Sequence, residues 1–141
     1  MTSPPLEMVV ETVPASVARI RRFATDACRL SAPDADCDTV SLLVSEVATN
    51  ALIHGVGQVR VRVVPQSKGV RIEVIDGSAT LPHPRDAALL DEGGRGLALV
   101  DALASSWGAE PTGAGKTVWF EVGAAVDTRP DADVAPPQVG G

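Results

Sequence analysis

The chain has 141 residues, the ordinary size of a single domain of roughly 100–150 residues. It is 45% hydrophobic but only 3% aromatic, so a core is available, and closely packed Ala and Val must fill it. A net charge of -6 gives no basic footprint for a phosphate backbone, which argues against nucleic acid and requires any anionic ligand to find a local positive site.

Met1 to Pro5 lack the basic and apolar runs of a signal peptide, and no segment is long enough to span a bilayer, so a cytoplasmic location is expected. Leu6 to Glu11 reads as a Val-rich strand. From Val13 to Leu30, the residues Val17, Ile20, Phe23 or Ala24, Ala27 and Leu30 recur at helical spacing, with Thr12 or Ser16 available to cap the start. Cys28 and Cys37 match no metal or redox spacing and are expected as reduced thiols. A second helix is expected from about Asp38 to His54, with Asp36 and Asp38 suited to its N-terminal dipole and Gly55 a natural stop.

Two strands follow. Val59, Val61 and Val63 alternate with Arg60 and Arg62, then Val70, Ile72 and Val74 alternate with Arg71 and Glu73, and Pro65 to Gly69 turns between them. Gly77 to Gly96 is long and without periodicity, the character of a functional loop or lid. Leu97, Val100, Leu103, Ala104 and Trp107 suggest a third helix, Trp107 to Pro111 a short strand, and Thr117 to Val122 a last one. Residues 1–122 thus form the expected domain, and 123–141, poor in groups to bury, a disordered tail. The fold class expected is α+β: a two-layer sandwich in which helices cover one face of a mixed, mostly antiparallel sheet.

Chemistry concentrates at four places. Glu46 and Asn50 lie four apart on one stripe of the second helix, beside aliphatic neighbours, and such groups need partners. Helix spacing alone also fits an internal hydrogen-bonded pair; the functional alternative is a metal and water site, where Asn offers a hard oxygen and Glu takes a proton. Asp76 ends a strand, as an Asx-turn residue or as an acceptor for an amino group such as that of adenine. Gly93-Gly94-Arg95-Gly96-Leu97 opens a helix whose first N–H groups and arginine suit phosphate, although a Gly-rich helix start is also a flexible joint. Gly113 to Thr117 imitates a P-loop, but Glu110 stands where that motif needs Gly and a strand follows, so it reads as a hairpin turn with Thr117 facing the ligand. His54 reads as structural and His83 as exposed; neither has a partner for a triad or zinc.

The order of these motifs resembles the Bergerat-type ATP-binding fold of the GHKL superfamily, shared by gyrase B, MutL and histidine kinases. The stretches that carry it are Ser41 to Gly55, Val74 to Pro82, Gly93 to Gly108 and Gly115 to Val122. Within that superfamily the chain most resembles the stand-alone anti-sigma-factor serine/threonine kinases of actinobacterial partner-switching systems. The resemblance implies ATP and Mg²⁺, with Glu46 as general base, Asn50 as Mg²⁺ ligand, Asp76 as the adenine-amine acceptor and Thr117 assisting near the base. It places Gly94, Arg95, Gly96 and Leu97 along the phosphates and makes Ser78 to Gly93 a lid. Ser78 and Thr80 stand at the glycine positions of the broad superfamily, whereas Asp76-Gly77-Ser78 with Pro82 follows the stand-alone subset. The implied function is phosphorylation of a small anti-anti-sigma protein. The alternative is a catalytically silent ATP-binding module that sequesters a sigma factor or another regulator. Neither reading involves direct nucleic-acid or membrane binding, and a homodimer is compatible with both.

Overall fold

The computed structural model describes residues 4–54, 57–77, 98–113 and 115–125. Its strands are β1 (Leu6–Glu11), β2 (Gln58–Gln66), β3 (Gly69–Asp76), β4 (Ser106–Thr112) and β5 (Gly115–Gly123), and its long helices are α1 (Ser16–Ser31) and α2 (Cys37–His54). The strands form one sheet in the order β1-β2-β3-β5-β4. All four described pairings are antiparallel, so the mixed component expected of the sheet does not occur among the described strands. The α+β class and the two-layer arrangement are as expected.

Alternation in sequence becomes alternation across the sheet. Val59, Val61 and Val63 on β2, Val70, Ile72 and Val74 on β3, and Val118, Phe120 and Val122 on β5 are buried on one face. α1 packs over β1 and β2, while α2 packs over β3 and β5. From α1, Ile20, Ala24, Ala27 and Cys28 reach the core, and from α2, Val40, Leu43, Val44, Val47, Ala48 and Ala51 do. Small side chains allow this close approach, as the shortage of aromatic residues requires. Leu30, expected on the buried stripe of α1, is instead 81% exposed: the buried stripe runs through Ile20, Ala24, Ala27 and Cys28, and Leu30 lies to its side.

Local chemistry sets the element ends. Asp36 caps α2: its Oδ1 accepts from the Thr39 N–H at 3.1 Å and its Oδ2 from the Thr39 hydroxyl at 2.7 Å. α1 has no side-chain cap; the Ser16 hydroxyl donates to the Glu11 carbonyl at 2.7 Å and ties the helix start to the end of β1. The β2–β3 turn is shorter than expected, with Gln66 already paired to Gly69 and Pro65 inside β2. Pairing with β1 ends at Leu6 and Val63, so Pro65 interrupts no β1–β2 hydrogen bond. Residues 98–103 are helical, but Trp107 belongs to β4, opposite Phe120.

Cys28 and Cys37 form a disulfide with Cα atoms 6.0 Å apart, which corrects the expectation of reduced thiols. The end of α1 meets the start of α2 there, a proximity that the nine-residue spacing concealed. Order also continues past the expected boundary at 122. Gly123 accepts from the Asp36 N–H, Ala124 bridges Ala35, and the Ala125 N–H donates to the Asp34 carbonyl. The rest of the expected tail lies outside the described residues.

Candidate functional site

The rows of β3 and β5 that face the helices end in charged residues. Along β3 the inward row runs Val70, Ile72, Val74, Asp76, and along β5 it runs Val122, Phe120, Val118, Lys116. The β3–β5 register sets Asp76 directly opposite Lys116. Both are 4% exposed, and the Lys116 ammonium lies 3.1 Å from Oδ1 and 3.0 Å from Oδ2 of Asp76. Gly115 makes this pairing close: a Cβ there would overlap the Asp76 carbonyl. A fully buried lysine or aspartate is rare unless paired, and here the two form a buried ion pair.

α2 brings the other pair of polar groups to this half of the molecule, since it packs on the same two strands. Glu46 and Asn50 are half-buried, between the buried Val47 side of the helix and Leu42 and Ile53, which are 45% and 60% exposed. They are not hydrogen-bonded to each other, so an internal pair does not account for them. Ser45 and Thr49, by contrast, donate to the carbonyls four residues back and are locally satisfied. No group of three or more His, Cys, Asp or Glu among the described residues could by itself hold a metal. Asn50 supplies a neutral oxygen and Glu46 an anionic one, both of the hard type that suits Mg²⁺.

Thr117 lies elsewhere. It pairs with Ile75 on the other face of the sheet, so it and Asp76 project to opposite sides. The inward neighbour of Asp76 on β5 is Lys116, which belongs to the strand and not to the hairpin turn expected at Gly113 to Thr117. The signal was available: extending the inward alternation of Val122, Phe120 and Val118 by two residues reaches Lys116. Ser78, Gly94, Arg95, Gly96 and Leu97, together with the expected lid and His83, lie outside the described residues.

The face of the sheet away from the helices has a different character. Arg62 donates to Glu7 and Glu73 at 3.1 and 2.7 Å, and Arg71 donates to Glu73 and Glu121 at 2.9 and 3.3 Å. The Arg71 guanidinium also stacks 4.1 Å over the Trp119 ring. The hydrogen bond from Gln66, followed by those from Ser106 and Arg71, holds the Glu121 carboxyl below the usual range, against an opposing effect of burial. A cavity of about 340 Å³ opens at one end of the sheet, along the cross-strand row Val9, Arg60 and Ile75 and reaching Asp76, Gly77 and Gly115. That row points away from α2.

Comparison with known proteins agrees with this architecture. The model of the histidine kinase-like ATPase domain matches residues 10–122. An uncharacterized protein of Streptomyces coelicolor is 40% identical over 84 residues, which are 55% of this chain and 79% of that protein. The solved RsbU and RsbW domains of a Mycobacterium tuberculosis protein superpose with a TM-score of 0.58 at 20% identity. That match covers 90% of this chain but only 35% of the solved one, and it is a likeness of fold. Among the described residues, no helix is long and apolar enough to cross a membrane.

Proposed function

The chain belongs to the histidine kinase-like ATPase domain family, and on that premise we propose that it is an ATP-binding serine/threonine protein kinase of the anti-sigma-factor type. Its substrate is a small anti-anti-sigma protein in the cytoplasm. The observation that carries this reading is the Glu46–Asn50 stripe on α2: two half-buried polar groups, not bonded to each other, over the strands that end in Asp76 and Lys116.

Each residue has one task. Asp76 accepts from the exocyclic amine of adenine, a carboxylate offering about four acceptor sites. Asn50 would hold Mg²⁺ through its side-chain oxygen. The ion, when bound, neutralises phosphate charge. Glu46 accepts the proton that a serine or threonine hydroxyl of the partner loses as its oxygen bonds to the γ-phosphorus and ADP leaves. Gly94 to Leu97 supply N–H groups and the Arg95 fork to phosphate oxygens, with Ser78 opening the covering segment. This part rests on the sequence motif alone.

The test uses radiolabelled ATP with candidate anti-anti-sigma proteins from the same genome. Wild type is expected to label Ser or Thr on one of them. Glu46→Gln should still bind ATP but transfer phosphate about 10²–10⁴ more slowly. Wild type that holds a partner in a nucleotide-dependent complex yet labels none would replace the kinase with a sequestering module.

A further inference from the structure

Building on the nucleotide reading above, we propose that Lys116 is a base-reading residue, whose buried ammonium donates to adenine ring nitrogen N1 beside the exocyclic amine that Asp76 accepts. Lysine normally carries its ammonium out to water on a flexible stem. Here the ammonium is turned inward, 4% exposed, and spans both carboxylate oxygens of Asp76 at 3.1 and 3.0 Å. Direct cross-strand pairing and the close approach of Gly115 to the Asp76 backbone hold it there. Any group that reaches the Asp76 carboxylate therefore meets the Lys116 ammonium as well.

The chemistry of the pair selects what it reads. A lone buried lysine would suit phosphate, but the Asp76 carboxylate repels phosphate oxygens and cancels most of the local charge. What remains is an acceptor and a donor side by side. The adenine edge offers their complement, an amine donor next to a ring-nitrogen acceptor. An ammonium has three donors, and the one that hydrogen-bonds Asp76 Oδ1 leaves others to turn toward a ligand. A site built to hydrogen-bond a group discriminates strongly against an analogue that lacks it.

The experiment compares ATP with 1-deaza-ATP, which keeps the amine but has C–H in place of ring nitrogen N1. Calorimetric titration of the wild-type chain is expected to show about tenfold or more weaker binding of 1-deaza-ATP, the share of one charge-assisted hydrogen bond. Lys116→Met should bind the two nucleotides alike, with ATP weakened to the level of the analogue. Equal binding of both nucleotides by wild type overturns the inference, as does Lys116→Met holding ATP as tightly as wild type. The wild-type comparison needs no variant, so a misfolded Lys116→Met protein does not rescue the inference. Wild type that binds neither nucleotide overturns the nucleotide reading and this inference together. ATP binding without discrimination against the analogue overturns this inference alone.

Discussion

The two faces of the sheet are built from the same strands and hold their charges in opposite ways. On the open face, Glu7, Arg62, Glu73, Arg71 and Glu121 form a chain of ion pairs, each partly open to water. On the covered face, rows of Val, Ile and Phe end in a single pair, Asp76 and Lys116, with side chains 1% and 5% exposed. Exposed pairs gain little net free energy because water screens them and side-chain entropy opposes them. A buried pair must offset a large desolvation cost, and apolar residues of similar volume would often serve stability as well. The open lattice is thus an ordinary way to solubilise a sheet. The covered pair is costly, and the nucleotide reading gives that cost a purpose.

Removing one partner on each face is the strongest way to break this contrast. Asp76→Ala leaves the Lys116 ammonium buried without its counter-ion and should lower stability by about 3–5 kcal/mol in urea unfolding. Glu73→Ala removes the shared acceptor of two half-buried, water-accessible arginines and should cost only about 1 kcal/mol, less at high salt. Equal losses for the two variants would erase the distinction between the faces. The smallest effect sharpens it. The carboxyl of Glu121 titrates lower in the folded chain than in the unfolded one, so its contribution is present above the ordinary glutamate range. It is lost as pH falls through the depressed value. Gln66→Ala removes the largest cause and should shrink this acid-side loss, as seen in thermal unfolding followed from neutral to acid pH.

Much of the fold was legible because period and burial agree. The alternating valines of β2 and β3, the Asp36 start of α2 and the amphipathic α1 all depend on near neighbours in sequence. Less legible were features that depend on distant contacts. Leu30 keeps helical spacing, but the spacing does not reveal how wide a stripe of α1 its neighbours cover. Trp107 fits a helix by interval and a strand by its pairing with Phe120, and the pairing prevails. The Cys28–Cys37 bond depends on how α1 and α2 meet. At the site, Glu46, Asn50 and Asp76 stood out as polar groups in apolar settings. Lys116 is hidden in sequence because its Gly-rich surroundings resemble a turn, and strand alternation alone sets Thr117 on the open face, opposite to Asp76.

The central claim is that this chain binds ATP at the Asp76 end of the covered face. The most direct test is calorimetric titration of Mg-ATP into wild type and Asp76→Asn, with folding of both checked by circular dichroism. Asparagine retains a carbonyl toward Lys116 but lacks the charged acceptor for the adenine amine. The account predicts saturable binding to wild type and a loss of about 1.5–3 kcal/mol in the variant. Folded wild type that takes up no ATP, or a folded variant that binds it equally well, would contradict the account.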